Sequence, residues 1–470
     1  MHTHKTQGAN LIKPGSRIDQ FLTQQFGSTM FTYQAIFAML LPLILDQFFI
    51  NLISLLTTAM ISSSSQESVS AISLINPMSM MIFAVFNAIS AGGTVIVAQY
   101  KGCGDTFKLR IAAGQVMFTT TLVAVLSALV LIVNADSLVH FMFSSADPLI
   151  IQKARDYLIG VAISLVFLSL YLGVFAVFRG IGESKMCLRL TILINLIHLF
   201  ASMFFINGMH LDIIGTTLSL NIARFIGGVV AIYMLMGRKS ILRVSLHHIF
   251  HIDGRIIKQI LHIGFPFALE QLFFNGGSMI VQTYIVKLGT TSVAANAVAN
   301  SAFAILYSAG LAVGTLSITL IGQCAGAGHK DLVKRYGKKM IGLGTGMVLL
   351  SILLLFPLMP FILRLYQAPP ETMSIIYSLL LIAVIPMPFF WSVSNVMPCV
   401  LRAAGDANFS SIVSLLSMWL IRVGLAYLFA LPFGLGVQGV WICMGIEWAV
   451  RTVIFLMRYH SEKWLYKKTI

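Results

Sequence analysis

Two carboxylates lie inside long apolar stretches of this chain. Asp46 belongs to the run Leu-Pro-Leu-Ile-Leu-Asp-Gln that begins at Leu41, and Glu270 to the run Phe-Pro-Phe-Ala-Leu-Glu-Gln that begins at Phe265. An ionised carboxylate in hydrocarbon costs at least ~2.5 kcal/mol, so a segment that keeps one needs a compensating role. Carboxylate oxygens exchange protons and bind hard cations such as Na⁺. We therefore expect Asp46 and Glu270 to bind a proton or Na⁺ and to attract a cationic ligand.

Amide and hydroxyl side chains accompany both acids at helical spacing. Thr57 follows Asp46 by eleven residues, and eleven steps of about 100° return to within about 20° of the same helix face. The predicted ion-coupling or substrate-binding set is Asp46, Gln47, Asn51, Thr57, Glu270, Gln271, Asn275, Trp391 and Asn395. The alternative interpretation is a structural network in which each acid is hydrogen-bonded to neighbouring helices.

The two acids occupy equivalent places in an internal duplication. A shift of 224 positions brings residues 41–104 over a degenerate copy without a gap. The polar and special residues kept in register are Pro42 and Pro266, Asp46 and Glu270, Gln47 and Gln271, Asn51 and Asn275, Asn76 and Asn300, Gln99 and Gln323, Gly102 and Gly326, and Gly104 and Gly328. The chain is therefore predicted to contain two copies of one hydrophobic unit, each with an acid near the same depth.

The composition predicts that these units are bundles of membrane-spanning helices. Hydrophobic residues make up 58% of the chain, charged residues only 10%, and the mean hydropathy is +0.89. A soluble domain needs far more charge to cover its surface, and a transmembrane barrel has alternating segments of ~10 residues, which are absent here. Twelve spans are predicted, at 33–61, 69–98, 111–133, 157–178, 188–207, 213–236, 257–287, 293–322, 340–365, 372–400, 408–431 and 437–457.

The basic residues predict how the spans are oriented. With the amino terminus inside, 24 of the 31 Lys and Arg fall in the leader, the inner loops and the tail, which is the positive-inside asymmetry. Scattered short loops do not form a basic groove, so nucleic acid is excluded as a partner. The predicted segments are a cytoplasmic leader (1–32) with a short interfacial helix around Arg17 to Phe26, a six-helix bundle (33–236), a cytoplasmic loop (237–256), a second six-helix bundle (257–457) and a cytoplasmic tail (458–470). An even number of spans in each half makes the two copies parallel.

Other special residues are predicted to be structural or to gate a pathway. The turns Arg179-Gly-Ile-Gly-Glu183 and Arg402-Ala-Ala-Gly-Asp406 suit capped helix ends, with a gating contact as the alternative. Pro386 and Pro388 predict a bend in span ten, and Glu447 and Arg451 predict an ion pair within span twelve. Further polar residues inside predicted spans, expected to hold helices together, are Asn76, Asn87, Gln282, Asn296, Asn300, Arg224 and Arg422. The five cysteines have no Cys-x-x-Cys spacing, so neither a disulfide framework nor a zinc site is indicated.

The motifs and their order resemble the multidrug and toxic compound extrusion (MATE) transporters. The resemblance rests on the two Leu-acid-Gln runs and on Ala-Gln-Tyr-Lys-Gly-x-Gly-Asp (98–105), Gly-Gln-Cys-Ala-Gly-Ala-Gly (322–328) and Leu-Arg-Ala-Ala-Gly-Asp (401–406). It covers residues 35–460. It implies two six-helix bundles facing a central cavity, and an antiporter that expels organic cations or amphipathic drugs in exchange for H⁺ or Na⁺ by alternating access.

The sequence departs from the family pattern at three places. The late acid that many members carry in the first span is replaced here by Leu56-Thr57-Thr58. One better-known branch has a glutamate in the seventh span, which aligns with Phe274, and an aspartate in the tenth span, where only Asn395 is a polar neighbour. The choice between H⁺ and Na⁺ therefore stays open. Na⁺ at Asp46 or Glu270 is the one metal interaction considered, and no cofactor is expected.

Two other functions are alternatives to efflux. A flippase for a lipid-linked saccharide would need a cavity rich in Arg or Lys for pyrophosphate. A membrane-embedded lipid-modifying enzyme would need Asp-rich Mg²⁺ motifs or a catalytic pair within the spans, and neither spacing occurs. The predicted protein is a non-enzymatic monomer of the bacterial cytoplasmic membrane with both termini inside, and its partners are small amphipathic or cationic substrates and membrane lipids.

Overall fold

A computed structural model describes residues 15–61, 65–143, 147–237, 242–364 and 369–467, with the backbone alone for 52–61, 362 and 364. The regular secondary structure of these ranges is helical, and none of the described residues forms a strand. The helices of the first half are α1 (Arg17–Phe26), α2 (Tyr33–Ile61), α3 (Gln66–Cys103), α4 (Thr106–Val133), α5 (Ala135–Phe143), α6 (Pro148–Ile181), α7 (Ser184–Ser202), α8 (Asp212–Met236) and α9 (Leu246–Phe250). The helices of the second half are α10 (Gly254–Lys287), α11 (Thr290–Gly326), α12 (Lys330–Leu355), α13 (Met359–Arg364), α14 (Pro370–Val384), α15 (Ser392–Ala403), α16 (Ala407–Ser417), α17 (Ala426–Ala430) and α18 (Gly436–His460).

Short segments of different pitch interrupt or follow these helices. Wider π-helical turns cover Met203–Gly208, Met387–Trp391 and Met418–Leu425. Tighter 3₁₀ turns cover Phe356–Leu358 and Lys463–Tyr466. Three of them, Phe356–Leu358, Met387–Trp391 and Met418–Leu425, lie inside predicted spans, and Met203–Gly208 lies at the end of one. These four therefore change the helical pitch within a span or at its end.

The long helices confirm the predicted all-α fold with twelve spans. Within the described ranges, ten helices are long and apolar enough to cross a bilayer, and the bent pair of α14 with the segment Met387–Ala403 makes an eleventh. Helix α10 lies at the predicted seventh span and has 34 residues, more than the ~20 that a crossing requires. Several helices extend beyond the predicted ends of their spans. Helix α3, for example, covers Gln66–Cys103 where the predicted span is 69–98, because the residues that cap it lie in the loops.

The duplication extends to the helix boundaries. Helices α3 and α11, α4 and α12, and α8 and α18 each begin 224 residues apart. Helices α3 and α4 are separated by a turn that ends at Gly104, and Gly328 ends the corresponding turn. Both glycines have a positive φ, 76° and 77°, which a residue with a side chain rarely adopts.

The chain forms two compact units that are not its linear halves. The unit that we call the C-unit comprises Met1–Gln47 and Phe273–Ile470, and the N-unit comprises Phe48–Leu272. Helix α2 therefore leaves the C-unit after Gln47, and α10 leaves the N-unit after Leu272, one position from the repeat-equivalent place. The division into a leader, two six-helix bundles, a connecting loop and a tail, which follows the order of the chain, remains a prediction.

In the N-unit, α6 packs against α3, α4 and α8. The first part of α10 joins this unit through a contact between two glycines. A Cβ on Gly92 would lie 2.8 Å from the Cα of Gly264, so a side chain there is excluded. Small residues are the usual means by which membrane helices approach closely.

In the C-unit, α11 packs against α12, α14 and α15, and the leader docks on α12. Helix α1 has the predicted bounds, Arg17–Phe26. Arg335 Nη2 donates a hydrogen bond to the Gln24 carbonyl at 2.9 Å, and the Tyr336 hydroxyl donates to the Phe26 carbonyl at 2.8 Å. The leader is thus held by the basic start of α12, and its interfacial position stays a prediction.

The segment that joins the two halves docks on α4 of the N-unit. The Gln115 amide donates hydrogen bonds to the carbonyls of His248 and His251 at 3.2 and 2.7 Å. A Cβ on Gly114 would lie 2.1 Å from the His248 carbonyl oxygen. The absence of a side chain at Gly114 therefore allows the backbone of α9 to reach α4.

We expect Gly114→Ala to release this segment, because the added methyl group occupies the position of the His248 carbonyl. Hydrogen exchange at residues 245–251 should accelerate. Gly342→Ala is the matched control, since a Cβ at Gly342 meets nothing within 4 Å. Equal exchange in the two variants would contradict the docking role of Gly114.

Docking of this segment should also depend on pH. Burial, reinforced by the charges of Arg110, His247 and His251, lowers the pKa of His248 below its ordinary value of 6.5. The imidazole of His248 therefore binds a proton less readily when the segment is docked than when it is released. Docking is favoured above pH 6.5 and weakens as the pH falls below that value. Exchange at residues 245–251, followed from about pH 7.5 to 5.5 and corrected for its intrinsic pH dependence, should report this loss. His248→Gln should remove this pH dependence of exchange. If the pH dependence persists in His248→Gln, another titratable group causes it.

Candidate functional site

The two predicted acids are both buried within helices that are shared between the units. Asp46 is 1% exposed and Glu270 is 5% exposed. Asp46 lies in the C-unit portion of α2, and Glu270 lies in the N-unit portion of α10. Each acid is thus two residues or fewer from the position where its helix passes from one unit to the other.

The polar neighbours of the acids are distributed over both units. Gln47, Asn51, Gln271 and Asn275 are all half-buried. Asn51 belongs to the N-unit and Asn275 to the C-unit. The side chain of Thr57 lies outside the described residues. The assembly of this set into one ion site remains a prediction.

Span ten is bent where its prolines predict a bend. The axes on either side of Pro386 differ by 43°, and the π-helical turn Met387–Trp391 follows. Trp391 is buried, stacks on Tyr307 at 5.5 Å between ring centroids, and covers Gly310. The Asn395 amide donates to the Trp391 carbonyl at 2.9 Å, a bond within the helix. Trp391 therefore lies in the core of the C-unit, and gating by Pro386 and Pro388 stays a prediction.

The two Arg-x-x-Gly-acid turns have the same backbone geometry. Gly182 and Gly405 have φ of 89° and 100°, and their N–H groups bond to the carbonyls of Arg179 and Arg402. The next N–H groups, those of Glu183 and Asp406, bond to the carbonyls of Phe178 and Leu401 at 2.8 Å. These paired bonds form the glycine-ended cap expected for such turns. Of their side chains, Asp406 accepts a hydrogen bond from Arg458 at 2.8 Å, and the guanidinium group of Arg179 lies over the Phe175 ring.

Span twelve carries a buried carboxylate between two guanidinium groups. Glu447 is fully buried, its Oε1 lies 3.4 Å from Arg451 Nη1, and its Oε2 lies 2.6 Å from Arg422 Nε. The pair predicted from the spacing of Glu447 and Arg451 is present. Arg422, on the π-helical turn Met418–Leu425, is the second partner, and Arg451 also donates to Ser414 at 2.9 Å. The carboxylate is thus neutralised from two helices.

A cavity of about 160 Å³ lies beside this ion cluster inside the C-unit. Its lining residues are Ser278, Val281, Gln282, Ile285, Asn296, Asn300, Arg422, Val440, Trp441 and Met444. The Trp441 indole N–H donates to Asn296 Oδ1 at 3.0 Å, and the Asn296 amide donates to Gln282 Oε1 at 3.2 Å. The polar wall is therefore pre-ordered, and among the described lining residues the guanidinium of Arg422 is the one charged group.

The sequence identified several of these lining residues but not the cavity. Gln282, Asn296, Asn300 and Arg422 were expected to hold helices together. All four also line a concave polar wall with Trp441, which had no signal in the sequence. The sequence feature that could have indicated the cavity is Arg422, because an arginine inside a membrane span usually faces a cavity or a charged partner. Among the described residues, no three His, Cys, Asp or Glu side chains are grouped as a metal site.

The MatE family model matches residues 42–204 and 266–428. The two matches begin 224 residues apart, like the internal repeats, and together cover more than half of the chain. The chain belongs to the MATE family of transporters. It is accordingly a multi-pass membrane transporter and not an enzyme.

Relatives of this MATE protein align over most of its length. An uncharacterized transporter of Bacillus subtilis, YisQ, is 26% identical over 87% of this chain and 90% of its own. A probable multidrug resistance protein of Thermotoga maritima, NorM, is 24% identical over 87% of this chain and 88% of its own. The aligned region makes up most of both relatives.

Solved structures show that the MATE fold is shared. A MOP superfamily transporter from Pyrococcus furiosus, described as having a binding pocket of reverse polarity that suggests a different function, matches with a TM-score of 0.82 at 19% identity, over 92% of this chain and 96% of its own. An outward-facing multidrug resistance MATE transporter matches with a TM-score of 0.84 at 18% identity over the same shares.

The ion cluster of this MATE protein makes a prediction about stability. Glu447→Gln brings the guanidinium groups of Arg422 and Arg451 together without the carboxylate between them, whereas Arg422→Gln leaves Glu447 paired with Arg451. We expect the first change to cost about 3–5 kcal/mol and the second to cost less. Thermal unfolding of the detergent-solubilised protein, followed by gel filtration, would measure the difference. A loss for Arg422→Gln equal to or larger than that for Glu447→Gln would contradict this account.

Proposed function

We propose that this protein is a secondary active antiporter that exports small amphipathic compounds, organic cations among them, in exchange for H⁺ or Na⁺ by alternating access. The observation that carries the proposal is the pair of buried acids, Asp46 and Glu270, at repeat-equivalent positions of membrane-spanning helices. Membership of the MATE family supports efflux as the transport process, and the name of the Thermotoga maritima relative, a probable multidrug resistance protein, agrees with it.

The chemistry of the acids supports coupling. A carboxylate in hydrocarbon is costly when charged and unpartnered, so a proton or Na⁺ stabilises it. If cargo and ion occupy the same acidic surroundings in turn, release of one favours binding of the other. Both acids lie where a helix passes between the two compact units, so the occupancy of the acid acts on a segment common to both units.

The position in the cell and the partners belong to the same proposal. The bacterial relatives and the apolar helices support the cytoplasmic membrane. The bias of Lys and Arg supports placing both termini in the cytoplasm. We propose that the protein acts as a monomer surrounded by membrane lipids.

Everted vesicles test the coupling, because their cytoplasmic face is outside and efflux by the protein is measured there as gradient-driven uptake of substrate into the lumen. Asp46→Asn or Glu270→Gln should reduce efflux to the level of vesicles without the protein, because neither amide exchanges a proton or carries the charge that binds Na⁺. Asp331→Asn is the matched control, since Asp331 is exposed at the start of α12. Protein content and gel-filtration profile must match in all three variants.

The imposed gradient distinguishes the coupling ions. Efflux driven by a Na⁺ gradient at equal pH on both sides supports Na⁺, and efflux driven by a pH gradient without Na⁺ supports H⁺. Unchanged efflux in both acid variants would remove Asp46 and Glu270 from the coupling site, although the fold assignment would stand.

A further inference from the structure

The ion cluster of the C-unit is not balanced within itself. Arg422, Glu447 and Arg451 contain two guanidinium groups and one carboxylate. Glu447 is completely covered, whereas the side chain of Arg422 is 16% exposed. Of the three residues, Arg422 alone lines the adjacent cavity. The positive side of the cluster is therefore the side that faces open space.

The terminal nitrogens of Arg422 have unused hydrogen-bonding capacity. Its Nε lies against Glu447, and the Phe274 ring is 5.5 Å from its guanidinium carbon. Among the described residues, neither Nη1 nor Nη2 of Arg422 forms a hydrogen bond. A guanidinium fork with two free N–H edges matches the two oxygens of a carboxylate.

The rest of the cavity wall suits the same kind of group. The Gln282 amide nitrogen and the Ser278 hydroxyl are additional donors without an acceptor in the part of the chain that the structure describes. No carboxylate is among the described lining residues. Val281, Ile285, Val440 and Met444 form an apolar wall beside these donors. An occupant with an anionic head and an apolar body would satisfy both sides.

We propose that this cavity binds the carboxylate of an amphipathic substrate, with Arg422 as the anion-binding residue and Gln282 and Ser278 as additional donors. This inference rests on the proposed export function. It adds acidic and zwitterionic amphiphiles to the substrates of the protein, and it predicts that purely cationic substrates do not bind in this cavity. A cation would meet the guanidinium group at close range without any acid in the wall.

The size of the cavity agrees with this assignment. A single water needs about 10–15 Å³ of such space, and the cavity offers about 160 Å³. A carboxylate with part of an aromatic ring therefore fits. The polar wall is held in place before binding by the Trp441–Asn296 and Asn296–Gln282 bonds, so little ordering opposes binding.

A pair of dyes that differ in one group provides the direct test. The first is a xanthene dye with a free benzoate, and the second is the methyl ester of the same dye. Fluorescence anisotropy of each dye with the purified full-length protein measures binding without any need for transport. Arg422→Gln should raise the Kd of the free-acid dye about tenfold to a hundredfold and leave the Kd of the ester unchanged. Arg422→Lys should give an intermediate Kd, because it keeps the charge and loses the fork.

The design of the variants separates a loss of binding from a loss of folding. Arg422→Gln leaves Glu447 with Arg451, so the buried carboxylate keeps a partner. Arg155→Gln removes an exposed arginine that pairs with Asp136 at 2.6 Å and is not among the lining residues of the cavity, so it should leave the binding of both dyes unaffected. An equal loss of both dyes in Arg422→Gln, or no loss of the free-acid dye, would overturn the proposal.

Competition identifies the source of the anion. Benzoate should displace the free-acid dye, and chloride at the same ionic strength should not. Equal displacement by chloride would make this a site for inorganic anions, and displacement by phosphatidylglycerol but not by benzoate would make it a lipid headgroup site. Either result overturns the assignment to a substrate carboxylate.

Transport in proteoliposomes separates this inference from the proposed function. Under an imposed Na⁺ or H⁺ gradient, the wild-type protein should move both dyes, and Arg422→Gln should lose transport of the free acid alone. Binding that depends on Arg422 without gradient-driven movement of either dye would refute the antiporter while the anion site stands. Gradient-driven movement of the ester, with the free acid unaffected by Arg422→Gln, would refute the anion site while the antiporter stands.

Discussion

A charge in the hydrocarbon must be balanced by neighbours that the fold supplies, and this constraint determines where the described spans keep polar residues. Glu447 is completely buried because Arg422 and Arg451 approach it from two helices. That solution brings a guanidinium group to the edge of a cavity. The stabilisation of one carboxylate thus creates a polar wall, in which Trp441 and two amides complete the hydrogen bonding that burial requires.

The duplication gives the molecule two versions of one helical plan with different side-chain chemistry. Three pairs of helices begin at the same offset, and each copy keeps one acid in the helix that passes between the compact units. The residues of the ion cluster are not repeated in the first copy, where His198 stands at the position of Arg422, Ala223 at that of Glu447 and Thr217 at that of Trp441. The shared plan preserves the fold, and the departures from it distinguish what each unit can bind.

The sequence predicted features that depend on a helix's own residues. The twelve spans follow from apolar length, the bounds of α1 from its polar and apolar pattern, the caps at Gly182 and Gly405 from local turn chemistry, and the bend at Pro386 from a missing N–H. Features that depend on neighbours were not predictable. The passage of α2 between units at Gln47, the docking of α9 over Gly114 and the partnership of Arg422 with Glu447 all need tertiary contacts. Hydropathy reports the cost of leaving water and says nothing about which helix a side chain meets.

The wide turn at Met418–Leu425 has a consequence for chain length. Such a turn accommodates an extra residue relative to regular α-helix, so the faces before and after it are offset by about 100°. Ser414 before the turn bonds Arg451, and Tyr427 after it packs edge-on against Tyr284 at 5.5 Å. Both contacts hold together only while the surplus residue is retained. A single-residue deletion in this stretch would therefore misdirect one of these two faces, although the span would remain long enough to cross the membrane.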